Sequence, residues 1–360
     1  VATPERLEAR SAGTAAAMLR PGVAADLASV GVKGPFSVTS LFVAQGDALK
    51  AWAGDAPLQT DDRSALEFSG PRSIFSTARD DNATALRELA AASPKPAAVS
   101  RALASATPED LRNRGLMLFK ADAHRAAYDD LAKALESNPN DAATLDGLFR
   151  SSASTNKIFD LQTRLTKLSA DPANKAAQLA LSRVLASQGN VEPAIRIPTE
   201  QLQANPTDAA ALDQLASIFV DIGDANRLEP VAQRILHEAP KNSWSHYYAA
   251  TLFFLRGQFD TALRAARNAV SLDPSNAKAH NLIGACLASM GQNDAARTAF
   301  ETSLKLDPRE AGTYANLATL ERQMGNSGLA QKYFTEALMI DPNNRAARDG
   351  LASLTPDSSR

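Results

Sequence analysis

Seven prolines fix the plan of most of this chain. Pro139, Pro172, Pro206, Pro240, Pro274, Pro308 and Pro342 are separated once by 33 residues and then five times by 34. Such a period marks a repeat array, in which each unit buries its apolar face only by stacking on its neighbours. The prolines share a phrase, clearest as "SLDPSN", "KLDPRE" and "MIDPNN" and looser as "SADPAN" and "HEAPKN". Proline brings no backbone donor and drives the preceding residue out of the helical region, so each phrase is expected to end a helix.

Between phrases the apolar residues fall at helical spacing. In residues 277–310, His280, Ile283 and Leu287 form one stripe and Ala296, Phe300 and Leu304 a second, with "MGQN" between them. Gly291 in that turn suits the end of the first helix. Each period therefore reads as helix, turn, helix. Small residues at Ala262, Gly284 and Ala296 predict close approach of the paired helices. Pro198 and Pro230 fall within predicted second helices, where each is expected to bend the helix and make residues 190–235 irregular.

The pattern resembles the tetratricopeptide repeat family. The residues that carry the resemblance are His246, Ala250, Phe253, Gly257, Ala262 and Pro274 in 243–276; His280, Gly284, Leu287, Gly291, Ala296, Phe300 and Pro308 in 277–310; and Tyr314, Leu317, Ala318, Gly325, Ala330, Phe334 and Pro342 in 311–344. The resemblance implies seven repeats over 108–344, weaker in the copies before 243, followed by a capping helix and tail over 345–360. The expected fold class is all-α: a helix-turn-helix solenoid with a small mixed N-terminal element.

In that family the first helix of each repeat lines a concave groove that holds another protein or a peptide. Carried over by repeat position, the groove residues implied here are Trp244, Tyr247, Thr251, Phe254 and Leu255, then Lys278, Asn281, Ala285, Ala288 and Ser289, and finally Thr319, Arg322 and Gln323. Trp244, Tyr247 and Phe254 are large apolar groups on a face that would otherwise be wet, as interface anchors are. The two-lysine, two-asparagine carboxylate clamp of chaperone-binding members is not reproduced, because Lys278 and Asn281 stand alone.

Composition narrows the function classes. With 38 basic and 40 acidic residues the net charge is -2, which provides no electrostatic footprint for nucleic acid. Cys286 is the single cysteine, so no disulfide framework and no multi-thiolate zinc site can form within the chain. The longest apolar run, "YYAATLFFL", is about half of the roughly 20 residues that span a bilayer. "SVGVKGPF" lacks the spacing of a phosphate loop, and "GNSGLA" lacks the strand that precedes a nucleophile elbow. His246 and His280 lie one repeat apart, but with no third ligand they read as core packing. The expectation is a binding protein that is not an enzyme and needs no cofactor or metal.

Residues 1–75 lie outside the period. They read as helices followed by a short alternating strand at "SALEFSG", with 76–107 as connecting helices. "PGVAADLASVGV", "SLFVAQGDALKAWAGDAPLQTDDR" and "LEFSGPRSIF" resemble the C-terminal end of the spermidine-synthase-like domain of large bacterial multipass membrane proteins, over residues 5–75. The resemblance implies a bacterial, membrane-associated complex and a cytoplasmic setting at or near the membrane surface. It also keeps an alternative open, the C-terminal regulatory part of an aminopropyltransferase-like enzyme whose catalytic core lies upstream. The opening "VATPERLEAR" reads as the cut end of a longer product.

Overall fold

The computed structural model describes residues 16–18, 20–29, 36, 93, 95, 97–120 and 123–354. The strand expected at "SALEFSG" and most of the helices expected before it lie outside the described residues. The chain divides into two compact units, Val1–Asn138 and Pro139–Arg360.

In the first unit the described helices are α1 (Pro21–Ser29), α2 (Ala97–Ala104), α3 (Pro108–Lys120) and α4 (His124–Ser137). α3 and α4 pair closely because Gly115 has no side chain: a Cβ there would lie 2.7 Å from Leu131. Arg114 forks onto Asp130 at 2.5 and 2.6 Å, so the buried carboxylate is matched by a guanidinium.

The second unit is six helix pairs and a closing helix. The pairs are α5 (Ala142–Thr155) and α6 (Ile158–Ser169), α7 (Lys175–Ser187) and α8 (Val191–Ala204), α9 (Ala209–Asp221) and α10 (Ala225–Glu238), α11 (Ser243–Leu255) and α12 (Phe259–Leu272), α13 (Ala277–Ser289) and α14 (Asn293–Leu306), and α15 (Ala311–Gln323) and α16 (Ser327–Ile340); α17 (Arg345–Ala352) follows. Each helix packs on its predecessor. Successive first helices also pack on one another, whereas successive second helices are spread apart. The first helices are therefore the inner wall of a curved array.

The proline phrase does two jobs. Its aspartate leaves the helix in extended conformation, with Asp273 at φ -142° and Asp341 at φ -131°, as a residue before proline must. Its asparagine opens the next helix: Asn276 accepts from the Ala279 amide, and Asn344 from the Ala347 amide. Within each pair the turn needs a left-handed residue. Gly189, Gly223, Gly257, Gly291 and Gly325 supply it at φ between 69° and 83°, and Asn156 at 56° supplies it after α5.

Ala262, Gly284 and Ala296 are buried at helix crossings, as expected. A Cβ at Gly284 would lie 2.6 Å from the Phe300 ring. Phe334 plays the same part at the end of the array, under Gly350 of α17. Pro198 and Pro230 both lie inside continuous helices. Pro198 leaves the Ala194 carbonyl without its usual helical donor, and the buried hydroxyl of Ser182 on α7 supplies one at 2.7 Å.

Candidate functional site

Because the repeats keep their register, equivalent side chains line up along the inner wall. Leu145 and Leu179, Phe149 and Arg183, and Asp146, Ala180 and Gln214 recur at one-repeat spacing on α5, α7 and α9. They line an open cleft of about 450 Å3 that is completed by Asn140, Lys175 and Asp208. The Arg183 guanidinium sits 4.1 Å from the centre of the Phe149 ring and donates to Asp146 Oδ1 at 2.8 Å. Stacking and ion pairing both favour this placement of Arg183. The cleft thus has an apolar floor and a rim carrying both signs of charge.

Further along, Arg183, Asp221, Tyr247, Lys278 and Glu310 share one electrostatic cluster. Burial works against the charge on Lys278, but Tyr247, Glu310 and Asp221 outweigh it and hold its pKa above the ordinary lysine value. Asp221 is open to water by area yet flanked by helix walls, and desolvation raises its pKa against the pull of Lys278 and Arg183. Burial likewise raises the Tyr247 phenol.

The inner wall is also bridged across its own width. Arg150 on α5 donates through Nη2 to both carboxylate oxygens of Asp307, at 3.0 and 3.1 Å, although the two residues are 157 apart in sequence. Beside it, Arg309 Nη2 donates to Ser154 Oγ at 2.9 Å. The turn between α14 and α15 is thereby held against α5.

Of the groove residues expected from sequence, Tyr247 and Lys278 meet in the charged cluster. Trp244 is 38% exposed, edge-on to Tyr247 with ring centres 5.4 Å apart, and lines an open cleft of about 600 Å3 with Lys241, Leu272 and Asp273. Phe254 is half-buried against Phe259 at 5.5 Å. Buried Thr251 donates to the Tyr247 carbonyl of its own helix. Asn281 accepts from the Asn316 amide at 2.9 Å. Arg322 donates to Ser353 Oγ at 2.6 Å, which ties α15 to the turn after α17, and Gln323 is exposed. Leu255, Ala285, Ala288 and Thr319 are half-buried, and Ser289 is exposed.

His246 and His280 are half-buried rather than in the core. Each ring Nε2–H donates to the carbonyl of the proline six residues back, at 2.8 Å to Pro240 and 3.1 Å to Pro274. They fasten the proline phrase to the helix it precedes. Among the described residues, no cluster of three or more His, Cys, Asp or Glu is placed to hold a metal ion, and no helix is long and apolar enough to cross a membrane. Cys286 is buried, and burial pushes its thiol up to about 12, so it is no nucleophile at neutral pH.

Sequence reasoning missed Arg150, Ser154, Asp307 and Arg309. One signal was present: "KLDPRE" breaks the phrase, placing Arg309 and Glu310 where the neighbouring copies have Ser275 and Asn276, or Asn343 and Asn344.

Residues 253–321 match a family model described as tetratricopeptide repeat, and residues 311–344 match a second model of the same description. Together the two models span residues 253–344. A tetratricopeptide repeat protein from Parabacteroides merdae superposes with a TM-score of 0.50 at 18% identity, covering 69% of this chain and 98% of that one. A thermophilic TPR protein of Thermus thermophilus is 23% identical over 50% of this chain and 98% of its own, with a TM-score of 0.45. The curated proteins contain no match. The first of these likenesses shows the solenoid fold. The spermidine-synthase-like resemblance of residues 5–75 falls on a stretch of which the structure describes residues 16–18, 20–29 and 36.

Proposed function

We propose that the second unit is a protein-binding scaffold whose inner wall receives a segment of another protein. The observation that carries this reading is the cleft on α5, α7 and α9. There buried Leu145 and half-buried Phe149 and Leu179 line a cleft that also carries charged groups, Arg183 and Asp146 among them. Apolar area supplies affinity and flanking charges supply selectivity, which is the division of labour in protein interfaces. Trp244, Tyr247, Thr251, Phe254, Lys278, Asn281, Arg322 and Gln323 are proposed to extend the contact surface along the later repeats, with Trp244 as the exposed anchor. The scaffold reading assigns the chain no chemistry of its own. The wider setting, a bacterial complex at a membrane, rests on the resemblance of residues 5–75 alone.

The test is affinity capture from extract followed by mass spectrometry, with three baits: the unchanged chain, Phe149→Ala, and Phe159→Ala as a control at a residue 69% exposed on the second helix α6. A partner kept by the unchanged chain and the Phe159 variant but lost by the Phe149 variant supports the inner-wall reading. Equal recovery by all three baits overturns it.

A further inference from the structure

We propose that the turn from Asp307 to Glu310 is a built-in clasp that closes the inner wall on itself and must be released for that wall to open fully. The inference deepens the scaffold reading above and rests on it for its functional meaning. Three observations converge. First, the turn makes two separate polar contacts across the wall, Asp307 with Arg150 and Arg309 with Ser154, both to one face of α5. Secondly, its helix-opening residue does not cap. At the equivalent place Asn242, Asn276 and Asn344 cap the next helix with their side chains, whereas Glu310, like Asn174 before α7, makes no such cap. Thirdly, Glu310 lies near enough to the charged cluster to help hold the charge on Lys278.

The phrase aspartate is common to the neighbouring copies, but here the turn also brings two new charged groups, Arg309 and Glu310, and its aspartate is the one that reaches Arg150 on α5. The Arg150–Asp307 pair is partly exposed, with side-chain exposures of 35% and 24%, so water and competing ions reach it. Such pairs are weak, and a weak contact can be displaced. Arg150 grips a carboxylate here, so an acidic partner segment is suited to compete with Asp307 for it. The closed and open arrangements then form two populations that an acidic segment shifts by binding one of them better.

The closure is tested on the protein alone, so its failure is separate from any failure to find a partner. Spin labels are placed on cysteines introduced by Ala153→Cys and Lys305→Cys, both at exposed positions; the buried Cys286 does not compete for label. Double electron–electron resonance then compares the unchanged chain with Asp307→Asn and Arg150→Gln. Asp307→Asn keeps an oxygen for the Arg309 backbone amide, which the aspartate accepts at 3.1 Å, so the turn itself is preserved. The expected result is one narrow distance in the unchanged chain. Both variants, and the unchanged chain in about 1 M salt, where the Debye length falls to about 3 Å, shift to a longer and broader distribution. Identical distributions in all four samples overturn the clasp.

Discussion

Substituting alanine for glycine inside a helix usually stabilises it, by up to about 1 kcal/mol, because the backbone loses less freedom on folding. At Gly284 the structure predicts the opposite. The new Cβ would lie 2.6 Å from two Phe300 ring carbons and 3.0 Å from a third. Phe300 is 2% exposed and cannot swing away without disturbing the core. Overpacking of this kind costs about 1 to 3 kcal/mol, so the propensity gain is cancelled and the balance falls between about 0 and 2 kcal/mol of destabilisation. Gly328 is the internal control: it is also helical, and nothing lies within 4 Å of its added Cβ. Urea unfolding followed by far-ultraviolet circular dichroism is expected to show a lowered midpoint for Gly284→Ala and an unchanged or raised one for Gly328→Ala. Phe300→Leu is expected to remove the penalty, so that Gly284→Ala in that background behaves like the control. If Gly284→Ala raises the midpoint as Gly328→Ala does, the close crossing of α13 and α14 is refuted.

Two further substitutions probe buried polar groups. Ser182→Ala strands the Ala194 carbonyl that Pro198 leaves without a helical donor, and is expected to cost about 1 to 3 kcal/mol; adding Pro198→Ala restores a helical donor, so a double-mutant cycle by urea unfolding should show strong coupling, and simple additivity would sink the explanation. Glu321 is desolvated, which raises its pKa, but hydrogen bonds from Arg297 and Asn326 and the Arg297 charge outweigh this and leave it lowered. A depressed carboxyl contributes stability that is present above its unfolded pKa and lost as pH falls through the folded one. Thermal unfolding from neutral pH down into the acid range should therefore show a loss of stability that is smaller in Glu321→Gln, and parallel pH profiles would count against the assignment.

The sequence carried the array because each repeat solves its own problem locally. Proline ends a helix whatever surrounds it, a left-handed turn demands Gly291 or its equivalents, and Ala262 and Ala296 are small because their partners are close. The site was less legible. Repeat position placed Tyr247 and Lys278 on the inner wall, where they meet Asp221 and Glu310. Position alone does not give the curvature that brings α5 to the turn after α14, so Arg150 and Asp307 could not be paired from their spacing. The cleft under Phe149 and Arg183 was not legible for a related reason: residues 141–208 match the repeat pattern weakly, so their groove positions are not marked as those at 244–254 are by the aromatic run. Pro198 was expected to make the array irregular, and Ser182, whose hydroxyl repairs the interrupted ladder, gives no sign of that role in the sequence.

Repeat arrays are commonly free to grow or shrink, since a duplicated unit brings its own caps and its own neighbouring surfaces. The bridge from Arg150 to Asp307 ties one stretch of this chain to a particular unit count. A whole unit inserted or deleted between them would still fold, but it would carry the turn past α5 by one step of the curve and leave both arginines facing the wrong residues. Between α5 and α15 a change in unit count would therefore cost the bridge, whereas past α15 it would not.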